Sequence, residues 1–175
     1  MSLHRTDHAE PIRSLLRSLD QAYDCPAWHG VNLRGSIRGL TPAEALWRPG
    51  AGRHNIWEEV LHAAYWKYAV RRRLIAGKRG SFAESFPTTL DLKGSNWFAA
   101  PASGGASEWK ETRALLDATH RALRATVEEF PAARLRRPVT GSKWNAVDSI
   151  LGMALHDVYH AGQIQMLKRL HQPRA

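Results

Sequence analysis

At 175 residues, 43% hydrophobic and 23% charged, the chain is long enough for one domain with its own core and too apolar to be disordered. A single cysteine, Cys25, excludes an internal disulfide and any multi-cysteine zinc site, and no apolar run approaches the roughly 20 residues of a membrane span. The net charge of +9 and pI of about 10.3 raise the question of a nucleic-acid partner, and nine histidines raise that of a metal.

The opening MSLHRTDHAEP lacks the apolar core of a secretory signal, so a cytoplasmic location is expected. A first helix is predicted from near Asp7 or His8, with Ile12, Leu15, Leu16, Leu19 and Tyr23 at helical spacing, before Pro26 and Gly30. Short helical turns are expected around 33–39 and at LTPAEAL, the latter opened by Thr41 and Pro42. The second long helix starts at Asn55, with Glu58 in the capping-box position, and ends near Ala76, before Gly77. Residues 77–106, rich in Gly, Ser, Pro and Ala, read as a long connection without strands. The third helix starts near Ser107, carries Trp109, Thr112, Leu116, Thr119, Leu123, Thr126 and Phe130, and stops at Pro131. The fourth begins after Asn145, with Asp148 in the box position, and runs to about Leu170. The fold class is therefore all-α, a four-helix bundle filling residues 1–175 as one domain.

The fourth helix carries the specific signal. Ser149, Met153, His156, His160, Gln163, Leu167 and Leu170 follow a 4-3 spacing, the seam a helix presents to bundle partners. Its centre is polar, and buried polar groups need partners. His156 and His160 lie four residues apart, roughly 6 Å along the axis, where two imidazoles can share one metal ion. The HExxH zinc helix uses the same spacing, but here the sequence is HDVYH. The glutamate base is missing and Asp157 points about 100° from His156, which argues against a peptidase. A catalytic zinc site needs a third protein ligand. The best candidate is His62, mid-way along the second helix. Three neutral imidazoles suit zinc, nickel or iron, as well as copper. The plainer alternative is that each histidine is a hydrogen-bonded core residue.

The second helix is apolar almost all round. One stripe is Ala63, Trp66, Val70 and Leu74, with His62 on its flank; the other is Trp57, Leu61, Ala64, Tyr68 and Ile75. Two stripes suggest one face on the core and one on a second subunit, hence a homodimer.

CPAWHG at 25–30, LTPAEALWRPGAGRHNIWEEVLHAAYWK at 40–67 and LHDVYHAGQIQMLKRL at 155–170 cover the first half of the chain and its last helix. With a His-x-x-x-His-x-x-Gln pattern about 90 residues after a mid-helix histidine, they resemble the DinB-like superfamily of bacterial helical bundles. The resemblance implies an up-down-down-up four-helix bundle with a long crossover between helices two and three, often dimeric. It implies a three-histidine metal site at His62, His156 and His160. Relatives include metal-dependent thiol S-transferases and a thiol-dependent isomerase, so a low-molecular-weight thiol becomes a plausible co-substrate.

Other residues carry weaker signals. Trp28 and His29 would line the mouth of the site or anchor their loop, and His54 reads as a loop residue. Tyr159, beside the histidine pair, and Gln163, below it, would either orient a metal ligand or simply pack. Cys25 has no evident activating base, and His120 lies beside the third helix's seam. The consecutive Arg71, Arg72 and Arg73 spread over about 200° of helix surface, unlike a one-faced nucleic-acid footprint. The sequence thus points first to a metal-dependent enzyme acting on a small molecule. A non-catalytic, stress-related or interaction protein with a structural metal or none is the alternative, and nucleic-acid binding the third.

Overall fold

The computed structural model of the protein describes residues 10–76, 86, 92–93, 96–101 and 104–171. Local chemistry sets where the helices begin. Helix α1 spans Glu10–Tyr23. The Asn32 side chain accepts the Gly35 N–H and opens the single turn α2, Leu33–Ser36. Thr41 and Glu44 cap each other reciprocally at α3, Pro42–Leu46, with proline in the first turn. Asn55 and Glu58 do the same for α4, Ile56–Ile75. Helix α5 is Ala106–Glu128, and its cap is Gly105, whose N–H donates to Glu108. Its start thus lies slightly before the expected Ser107. The Asn145 side chain accepts the Asp148 N–H at 2.8 Å and opens α6, Ala146–His171.

The connection after α4 is not free of strands, as its composition suggested. Leu92–Lys93 (β1) and Trp97–Phe98 (β2) pair antiparallel, Leu92 opposite Phe98 and Lys93 opposite Trp97. Alternate strand residues face opposite ways. Phe98 is buried in a ring cluster with Tyr65 and Phe86, and Phe86 also meets Tyr68. The connection returns to α5 at Gly104, where a Cβ would lie 2.6 Å from the Trp57 ring, so only glycine fits.

Helix α4 packs on both α5 and α6, and α1 packs on both of them from the other side. Every residue from Ile56 to Ala64 is buried. The second apolar stripe of α4 is therefore covered by the chain itself: Leu61 and Ala64 are buried, and Tyr68 meets Phe86. Only Ile75 of that stripe is exposed, so the stripe does not require a second subunit. No helix among the described residues is long and apolar enough to cross a membrane.

The buried seam of α6 lies one residue from the expected line. Ala146, Ile150, Met153, Asp157, His160, Ile164 and Leu167 are buried, again at 4-3 spacing. Ser149, His156 and Gln163 are only half-buried and Leu170 is exposed. The two lines share Met153, His160 and Leu167. The inner one prevails because it carries Ile150 and Ile164, and because Lys67 of α4 reaches Asp157.

The core forms two apolar clusters. One joins α1, the C-terminal parts of α4 and α5 and the start of α6; the other joins α2, α3, the N-terminal parts of α4 and α5 and the end of α6. Polar residues occupy the change-over on three helices: Lys67 between Ala64 and Val70, Thr119 and His120 between Leu116 and Leu123, and Asp157 and His160 between Ala154 and Ile164. Lys67 and Asp157 are wholly buried and paired. Burial pushes the lysine down and the carboxyl up, while their mutual attraction opposes both shifts. His120 stacks on Tyr23 at 3.7 Å, and the Tyr23 hydroxyl donates to Asp117, which also pairs with Arg34.

Lys67→Met would leave Asp157 buried without its cation and is expected to cost about 3–5 kcal/mol in urea unfolding. The double variant Lys67→Met/Asp157→Leu should recover most of that loss. Equal losses in both would mean the pair is not what holds this level together.

Burial also lowers His120 to about 3, and its Nδ1 has no partner among the described residues. The unfolded chain takes up this proton near pH 6.5 and the folded chain does not. Stability should therefore fall as pH drops below about 6.5. His120→Phe keeps the stack and removes the proton. It is expected to reduce the loss between pH 6.5 and 5 by about 1–2 kcal/mol, and unfolding curves with the wild-type pH slope would contradict this.

Candidate metal centre

Helices α4 and α6 bring His62, His156 and His160 together at the polar level of the bundle. The Nε2 of His156 lies 3.2 Å from that of His62 and 3.0 Å from that of His160. All three candidate donor nitrogens fall within 4.8 Å of one another. The spacing follows from the sequence: His156 and His160 are one turn apart on α6, and His62 is buried on the facing side of α4.

The outward nitrogens fix the chemistry of the inward ones. The His62 Nδ1–H donates to the Asn96 carbonyl at 2.8 Å, and the His160 Nδ1–H donates to the Glu59 carboxylate at 2.5 Å. A carbonyl and a carboxylate can only accept, so the ring proton of each neutral imidazole sits on Nδ1 and Nε2 presents a bare lone pair. Burial lowers His62 to about 4, against the pull of the Asn96 hydrogen bond, and lowers His156 to about 3. These two rings are thus neutral at pH 7. The His156 Nδ1 is buried with no partner among the described residues.

This donor set fits a divalent cation. Imidazole nitrogens 3.0–3.2 Å apart can both reach an ion at the usual ~2.0–2.1 Å. A carboxylate behind one ring and a carbonyl behind another is the usual support for metal-binding histidines. Among the described residues no fourth His, Cys, Asp or Glu joins the group.

The short hairpin completes the surroundings. Trp97 lies between two imidazoles, stacked on His62 at 3.9 Å and on His54 at 3.6 Å. Asn96, the preceding residue, supplies the carbonyl to His62. Glu58 ties this hairpin to the loop before α4. It accepts two hydrogen bonds from Arg48, at 2.6 and 2.8 Å, and one from the Ala100 N–H. Burial opposes its ionisation, but Arg48 and His54 hold it down at about 2.

The other expected site residues fall elsewhere. Trp28 is fully exposed and His29 exposed, in the turn after α1. They neither line a mouth nor anchor the loop; Asn32 does the latter, bonding the Cys25 carbonyl at 2.9 Å. Tyr159 is exposed with its ring 5.2 Å from that of His160, and its hydroxyl receives a bond from Gln163 at 3.4 Å. Neither orients a site histidine; Glu59 and Asn96 do. Glu59 was within reach of sequence reasoning, because it lies one turn before His62 and so shares its face. Nothing in the sequence pointed to a backbone carbonyl at Asn96, nor to Trp97 in the connection. His54 contributes to the surroundings through Trp97. Cys25 is exposed beside Asp24 and raised by slight burial and acidic neighbours, which leaves it a poor nucleophile.

A family model described as the DinB superfamily matches residues 27–164. The chain belongs to the DinB superfamily. The match runs from the turn after α1 into the last turns of α6 and includes all three histidines. No curated protein and no solved structure matches significantly.

Two clefts border the centre of this DinB-superfamily chain. One, of about 510 Å³, includes Trp66, Val70, Arg73, Trp144, Met153 and His156. The other, of about 550 Å³, includes Arg53, His54, Glu59, Gln163 and Leu170. Of the three histidines, His156 lines the first cleft, while the second contains Glu59, the partner of His160.

Glu59→Ala removes the acceptor that sets the His160 tautomer. Its zinc affinity, read by competition with a chromophoric chelator, is expected to drop about 10–100-fold with unchanged helicity. Wild-type affinity in this variant would show that the carboxylate does not support the ring.

Proposed function

We propose that the protein is a metal-dependent enzyme acting on a small molecule, with a divalent ion held by His62, His156 and His160. The observation that carries this reading is the convergence of three Nε2 atoms from two helices, with the outward nitrogens of two rings held by Asn96 and Glu59. When bound, such an ion supplies Lewis acidity that makes a water or thiol reactive at neutral pH.

The chain's own residues then have distinct tasks. The three imidazoles give up lone pairs without adding negative charge. Glu59 and the Asn96 carbonyl keep the rings aimed inward, and the stacked Trp97 screens one side of His62 from water. A fourth protein ligand would close a structural site; its absence from the group among the described residues favours an enzyme over a structural metal. The two clefts offer room for two reactants, which favours a group transfer such as thiol S-transfer over simple hydrolysis.

We also read the four long helices as running up-down-down-up. Trp57 meets Trp109 near the starts of α4 and α5, and Leu74 and Val127 share a cluster near their ends, which supports a parallel pair. Glu59 meets His160 while Trp66 meets His156, an antiparallel order for α4 and α6. Asp20 meets Arg124 and Tyr23 meets Asp117, the same order for α1 and α5.

The test is metal content, by elemental analysis of protein purified without a metal column and then incubated with zinc or nickel. Near-stoichiometric metal is expected in the wild type, with a similar large loss in His156→Ala and His62→Ala. A wild type that stays empty would reject the proposal. Normal retention by His62→Ala would remove the third ligand.

A further inference from the structure

We propose that the cleft between the C-terminal half of α4 and the N-terminal half of α6 binds a flat apolar molecule carrying one anionic group, with its apolar end toward His156. This deepens the functional reading above and rests on it only for what happens at the His156 end.

The cleft measures about 510 Å³, within the range of small-molecule sites. Its floor is apolar and buried, made by Val70 and Met153. Trp66 and Trp144 contribute to its lining. Trp144 is more than half exposed, a large apolar surface unexplained by packing within the chain. Two indoles in one apolar cleft favour a planar guest, which gains area and ring contact at little entropic cost. Gly152 leaves the cleft open: a Cβ there would meet nothing within 4 Å.

Arg73 is the one Lys or Arg among the residues that line the cleft, and Lys143, outside that lining, lies 5.0 Å over the Trp144 ring. The Arg73 guanidinium lies 5.5 Å over the Trp66 ring, and among the described residues no carboxylate pairs with it. An arginine held over an indole is pre-positioned to bind a carboxylate or a related anion. Asp148 also lines the cleft, but it sits in the first turn of α6, where the helix N-terminus accounts for its charge. The Trp66 ring lies 6.3 Å from that of His156. A guest laid along Trp66 with its anion on Arg73 therefore directs its other end to the histidine group.

The experiment uses three probes with one ring system and different charge: 1-naphthoate, 1-naphthalenemethanol and 1-naphthylmethylammonium. Binding to the full chain is measured by calorimetry, with the protein both chelator-stripped and zinc-loaded. Naphthoate is expected to bind about tenfold tighter than either other probe, in both states. Arg73→Gln should abolish that preference while changing the neutral probe less than twofold. Gly152→Leu fills the cleft from an open helix face without endangering the fold, and should weaken all three probes at least tenfold. Equal binding of the probes, a preference that survives Arg73→Gln, or normal binding to Gly152→Leu would overturn the proposal. So would a stable dimer of the wild type that Gly152→Leu dissociates, since a second copy would then be the occupant. Charge-selective binding by a protein that takes up no zinc would leave this inference standing and reject the metal reading. Zinc uptake without naphthoate binding would do the reverse.

Discussion

Polar groups in the middle of a helical bundle must find partners, and that requirement organises this protein. Both apolar clusters end at the same level of the bundle. There the chain places a lysine, two carboxylates and four histidines, and most have a polar partner: Lys67 with Asp157, His160 with Glu59 and His62 with Asn96, while His120 is held by its stack on Tyr23. Unpartnered, such groups would each cost several kcal/mol. His62 and His160 are partnered on their outward sides only, the His156 Nδ1 has no partner among the described residues, and the Nε2 atoms of all three face one another. The site is therefore the inward half of a network whose outward half serves stability.

The segments around α4 hold this arrangement in register. Glu58 joins Arg48, His54, Asn55 and Ala100 at one carboxylate, so the loop before α4 and the end of the connection are fastened to the same residue. Between those anchors the hairpin turns Trp97 toward the histidines and Phe98 toward Tyr65. A two-residue ladder contributes little stability by itself. Its value lies in forcing successive side chains to opposite sides, one to the core and one to the site.

Much of this was legible from the chain. The helix starts at Asn55 and Thr41, the ends near Ala76 and Pro131, and the two-plus-one histidine spacing all depend on local rules that tertiary packing did not override. The α6 seam was harder, because two 4-3 lines share Met153, His160 and Leu167. Choosing between them required knowing that Asp157 would be neutralised by Lys67, 90 residues away. The second stripe of α4 reads as free for a second subunit because nothing local announces that Phe86 packs against its Tyr68. Trp28 misled in the opposite sense: a tryptophan beside a histidine suggests a site wall, yet the turn that holds it is fixed by Asn32 and leaves the indole in solvent.

Charge at the centre follows from the same network. Asp157 adjoins His156 in sequence, but its carboxylate is turned to Lys67, which cancels it. Glu59 is the carboxylate that bonds a site histidine, and it acts through His160 Nδ1 rather than facing the Nε2 atoms. The surface toward which the three nitrogens point is thus built from imidazole nitrogens, with the Glu59 carboxylate behind the His160 ring. A cation there would keep most of its positive charge, since no thiolate or carboxylate among the described residues joins the three nitrogens, and that charge is what acidifies a coordinated group.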